Sequence, residues 1–154
     1  MRAYPIDVIN AVKAKLDTDL GAIITTVNTE RTYTGDALIP QPELISTGFR
    51  GNQFPEITIG VDSTSEYETN DTRPYDLITE TFNIFVGFVI KGANAYVDRW
   101  MYGYKEAIER VVNNMYIIGV TNILVVSSEY DDSAKLVDNE NRRSGVIYFQ
   151  VRIN

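Results

Sequence analysis

Apolar residues recur from Pro5 onward at three- and four-residue steps: Ile9, Val12, Leu16, Leu20, Ile23 and Val27. That spacing predicts a helix with one buried face. Pro5 suits the first helical turn, where its missing N–H is not needed, and Asp7 complements the positive helix end. Gly21 is a point where the helix can end or bend, and the β-branched residues of 23–27 read as well as a short strand. At Pro55 the period changes to two. Ile57, Ile59 and Val61 alternate with Glu56, Thr58 and Asp62, which predicts a half-buried strand. The run 79–90 alternates Phe82, Ile84, Val86, Phe88 and Ile90 with polar positions and becomes apolar on both faces toward its end, as a central strand does.

Helical spacing returns with Val97, Met101, Tyr104, Ile108 and Val111, widened by Trp100, Ala107 and Val112. Asp98, Lys105, Glu106, Glu109 and Arg110 fill its outer face, and Glu106 stands one turn before Arg110 as a favourable pair. Asn113, Asn114 and Gly119 mark the exit. Residues 123–130 read as a strand, and the closing GVIYFQVRIN alternates cleanly. The predicted order is α-β-β-α-β-β. It describes one α+β domain over residues 1–154, with a mostly antiparallel four-stranded sheet, two helices packed on it, and long hairpin arms.

The arms are the two polar stretches inside the strand pairs. STSEYETNDTRPYD joins the first pair, with Arg73 as its one cation, and strand pairing can continue past Asp62. SSEYDDSAKLVDNENRRS joins the second. Residues 30–55 are a different break, punctuated by Gly35, Pro40, Pro42, Gly48, Gly51 and Pro55. A segment of that length in a compact domain carries a job or small hidden elements. Residues 37–39 and 44–45 read as brief strands or turns at the domain edge.

Composition narrows the chemistry. The 154 residues contain no His and no Cys, are 44% hydrophobic and 23% charged, and carry a net charge of −7. Imidazole-based triads, imidazole metal sites, thiolate chemistry and disulfides are all removed. Carboxylate pairs such as Asp131–Asp132 or Glu66 with Glu68 lie in the most polar stretches, where nothing desolvates one member to raise its pKa. DDSAKLVDNEN lacks the spacing of a calcium loop, and TGFRGN lacks the Lys-Ser/Thr of a phosphate loop. We therefore expect no enzyme, no catalytic residue, no cofactor and no metal. The acidic balance argues against affinity for a nucleic-acid backbone. No apolar run has the length to span a bilayer, and Asp7, Asn10, Lys13 and Lys15 interrupt any leader-like stretch, so a cytoplasmic origin without membrane contact is the default expectation.

Ten tyrosines remain. Tyr96, Trp100 and Tyr104 fall at successive turns of the second helix, either as an aromatic core stripe or as a surface for a neighbouring subunit. Tyr67, Tyr75 and Tyr130 lie in or beside the polar arms, where burial within one domain is harder to arrange. With Arg73 and the pair Arg142–Arg143 they are the candidate subunit-interface residues. The pair Arg142–Arg143 is able to touch phosphate, but with Asp138 and Glu140 nearby a salt-bridged arm or a partner's acidic patch is the favoured reading.

In this order of elements the chain resembles the tail-terminator proteins of long-tailed bacteriophages, also called tail-completion or head–tail joining proteins. The features that carry the likeness are the helix IDVINAVKAKL and the Pro-introduced strand in FPEITIGVD. A polar arm follows, then TFNIFVGFVIKG, the helix NAYVDRWMYGYKEAIERVV and the final strand GVIYFQVRIN. The segment 30–55 departs from the pattern. The resemblance implies a virion protein of the tail or neck, assembled in the host cytoplasm. It implies a homohexameric ring that caps the tail tube and joins it to the head connector or stopper, with DNA as transiting cargo. A connector, stopper or tail-tube subunit is the alternative of similar topology, and a small-molecule-binding α+β domain is the alternative from another class.

Overall fold

The computed structural model describes residues 3–69, 78–92, 95–131 and 141–153. Helix α1 spans Pro5–Glu30 and α2 spans Val97–Val112. The strands are β1, Leu44–Ser46; β2, Glu56–Thr69; β3, Ile78–Gly92; β4, Val120–Asp131; and β5, Asn141–Ile153. They form one sheet in the order β1-β2-β3-β5-β4. The expected α+β class is found, with one correction: the sheet has five strands and is mixed. Leu44–Ser46 pairs in parallel with the start of β2, while the other three pairings are antiparallel.

α1 begins as its sequence predicts, with Pro5 at the first helical position and the Tyr4 N–H donating to Asp7 Oδ2 at 2.9 Å. It continues through Gly21 to Glu30. Val12, Leu16, Leu20, Ile24 and Val27 are buried along one stripe, so residues 23–27 are helix and not strand. α2 buries Val97, Met101, Tyr104, Ala107, Ile108 and Val111. Both stripes face one side of the sheet, where β2, β3 and β5 supply Ile57, Ile59, Phe82, Ile84, Val86 and Phe149 from alternate positions.

The segment between α1 and β2 folds back across the helices as a strap. Asn28, buried at the end of α1, accepts from the Ile39 N–H at 2.8 Å and donates Nδ2 to the Ile39 carbonyl at 3.2 Å. From α2, the Trp100 indole donates to the Ala37 carbonyl at 3.3 Å and the Tyr104 hydroxyl to the Pro40 carbonyl at 2.6 Å. Between them Ile39 sits on Gly103, where a Cβ would stand 2.2 Å from its Cδ1, so a larger residue there would push the buried Ile39 side chain aside. Glu56 closes the far end, accepting from the Arg50 and Gly51 N–H groups at 2.7 and 3.0 Å.

Candidate subunit interface

The six candidate residues divide by position. Tyr67 belongs to β2, in register with Glu80 of β3. Arg73 and Tyr75 lie outside the described residues. Tyr130 is the penultimate residue of β4, beside Gly145 of β5, and Arg142 and Arg143 are the second and third residues of β5, opposite Lys91 and Ile90. β2–β3 pairing does continue past Asp62, through an irregularity between Asp62 and Ser65, as far as Thr69↔Ile78. Its last two pairs run beyond Glu80↔Ile153, where β5 ends.

Among the described residues, Arg142 and Arg143 meet partners outside the arm. Arg143 is only 12% exposed, and its Nε donates to Asp98 Oδ1 at 2.7 Å, tying the start of β5 to the first turn of α2. Arg142 places its guanidinium 5.2 Å from the centre of the Phe54 ring, and Lys91, its cross-strand neighbour, stands 5.7 Å from the same ring. Like charges directly opposite on a sheet repel, and an aromatic face between them offsets part of that cost. Asp138 and Glu140 lie outside the described residues. Tyr130 also packs within its own domain: it is half-buried, edge-on to Tyr102 of α2 at 5.4 Å. Burial pushes its hydroxyl above the usual range, opposed by the nearby Lys105 ammonium.

Tyr130 forms one wall of a surface groove of about 480 Å³. Val27, Arg31 and Tyr33, at and just beyond the end of α1, form a second wall. Arg99, Tyr102, Lys105, Glu106 and Glu109 on the outer face of α2 form the floor. An ion-pair chain stitches the helices beside it. Glu106 accepts from Arg31 at 3.2 Å and from Arg110 at 2.8 Å, as the one-turn spacing predicts for the latter, and Arg110 reaches Glu30 at 2.7 Å. Lys105 pairs with Glu109 at 3.1 Å, which raises its pKa. Arg99 stands apart, its guanidinium 5.8 Å from the Tyr33 ring centre and 5.2 Å from that of Tyr96. Tyr33, Arg99 and Tyr102 escape sequence reasoning because an outer helical face with mixed charges looks like plain solvated surface. The available signal is an arginine spaced three residues from a tyrosine on the polar side.

Among the described residues no three acidic side chains come together as a possible metal site, and no helix is long and apolar enough to cross a membrane. No family model matches the chain, and no curated protein matches it. A solved structure does. A chain from the virion of a native gene transfer agent particle superposes with a TM-score of 0.52 at 9% identity, covering 92% of this chain and 90% of that one. At such identity the likeness is one of fold.

Proposed function

We propose that this chain is a structural protein of a phage-like virion, and within that class a tail terminator. In this reading it closes into a ring, a hexamer, that caps the tail tube and meets the head connector or stopper. The observation that carries the virion reading is the near end-to-end match to a chain of a gene transfer agent virion, which leaves no large part of either fold unaccounted for. The terminator reading draws its support from the order of elements and from the β2–β3 ribbon that outruns the sheet, since a closing ring needs a protruding element and a heterologous surface to receive it. No step of bond-making chemistry enters this role. A net charge of −7 suits a bore that DNA crosses without sticking.

Mass photometry of the purified chain, with negative-stain imaging, tests the assignment. Discrete rings of one size are the expected result. Open-ended tubes would make it a tail-tube subunit, and a monomer at every concentration would remove the ring altogether.

A further inference from the structure

The groove on α2 is basic, on a chain that is acidic overall. Its lining carries three cations, Arg31, Arg99 and Lys105, against two carboxylates, Glu106 and Glu109. Both carboxylates are already engaged, Glu106 by two guanidinium groups and Glu109 by Lys105. Arg99 has no carboxylate partner among the described residues, and its contacts are the faces of Tyr33 and Tyr96. A guanidinium held against aromatic rings keeps its N–H fork for a carboxylate, and arginine with tyrosine is the pairing that interfaces favour. Tyr102, 56% exposed, extends the aromatic surface toward Tyr130.

The complementary sequence lies in the same chain. Between Asp62 and Asp76 there are five acidic residues, one arginine, and the tyrosines Tyr67 and Tyr75. The residues of this stretch through Thr69 belong to β2, whose last pair with β3 is Thr69↔Ile78. The groove is at the other end: Tyr130 pairs with Gly145, and Gly145 with Phe88. Ten residues of strand separate Phe88 from Ile78, roughly 33 Å at the rise of an antiparallel strand. The described part of the arm, β2 through Thr69, and the groove therefore sit at opposite ends of one protomer, the placement that links copies head to tail and not face to face.

We propose that the Arg99 groove receives the acidic β2–β3 arm of a second copy of this chain. The proposal rests on the ring reading and gives that ring its contact. Glu66 and Glu68 are the first arm residues to supply carboxylates to Arg99.

The test is charge exchange in the full-length chain, read by mass photometry across concentration, with circular-dichroism melts to establish that each variant is folded. Arg99→Glu, and separately Glu66→Lys with Glu68→Lys, should each raise the concentration for half-assembly by about tenfold or more. Combining all three substitutions should bring it back toward wild type. Arg99→Gln, which removes charge without reversing it, should weaken assembly in the same direction and serves if Arg99→Glu fails to fold. A wild type that forms rings while these variants assemble equally well would overturn the groove contact and leave the ring standing. A combined variant no better than its worse parent would likewise overturn the pairing. A wild type that never assembles would defeat the ring reading itself.

Discussion

Tyr102 and Tyr104 are two residues apart on α2 and do opposite things. Tyr104 is fully buried, stacks on Phe88 with ring centres 5.8 Å apart, and donates its hydroxyl to Pro40, and burial drives that hydroxyl far above its usual pKa. Tyr102 is more than half exposed and touches Tyr130 edge-on. Two residues rotate a helix by about 200°, so one ring enters the core while the other faces the groove. One side of α2 therefore holds the protomer together, and the other is available to hold a neighbour. A count of tyrosines cannot tell these roles apart; helical phase can.

The hardest test of that contrast is truncation of each ring. Tyr104→Ala should cost about 3–5 kcal/mol of stability, since it opens a cavity under the strap and orphans the Pro40 carbonyl. Tyr102→Ala should change monomer stability by about 0.5 kcal/mol or less. Urea denaturation of both proteins checks this, and equal losses would erase the distinction between the faces. Next in size is Asn28→Ala. It strips the partners from both the N–H and the C=O of Ile39, a buried residue, at about 3 kcal/mol. A loss near zero would mean the strap is held by apolar contact with α2 alone.

Asn28 also marks the limit of what the sequence discloses. Both helices, β2, β3 and β5 are legible because each depends on a local period, and the Glu106–Arg110 pair depends on one helical turn. The strap does not. Its anchors join Asn28 to Ile39, Ala37 to Trp100 and Pro40 to Tyr104, and no periodicity encodes which distant carbonyl a side chain will meet. Gly21 misleads for the same reason. It reads as a stop or bend, yet α1 runs through it: the Gln41 Oε1 stands 2.8 Å from where a Cβ would be, and the Gln41 Nε2 donates to the Gly21 carbonyl at 3.2 Å. β1 is three residues long, too short for a period, and is held by parallel pairing with β2 and by Ile45 packing on the core. At the candidate interface, Tyr130, Arg142 and Arg143 are visible as residues but their partners are not. Asp98 reaches Arg143 across 45 positions of chain, while the sequence places Asp138 and Glu140 close by.

A finer cut through the buried side is Tyr104→Phe, which keeps the ring and deletes only the hydroxyl. The Pro40 carbonyl then lacks the donor held at 2.6 Å, at a cost of about 1–2 kcal/mol. The gap between this variant and Tyr104→Ala measures how much of the strap's hold is packing and how much is the single hydrogen bond. If the two variants were equally unstable, the bond would account for nearly all of it.

The smallest effect belongs to the exposed side, at the ion-pair chain beside the groove. Glu30 is the last residue of α1, where the helix dipole disfavours a carboxylate, yet Arg110 holds its pKa below the ordinary 4.5. A folded-state value below the unfolded one means the pair stabilises above about pH 4.5 and stops doing so as pH falls through the folded value. Wild type should therefore melt slightly above Glu30→Gln at neutral pH, and the difference should close as pH falls through the lowered folded-state value, and also at about 1 M salt. Because Arg110 keeps Glu106 at 2.8 Å in the variant, the gap should be small even at its largest. A difference that survived acid would show Glu30 acting through hydrogen bonding or packing and not through charge. The rim of the groove would then be a fixed part of the protomer's own structure, less able to re-pair its cations with an incoming acidic arm.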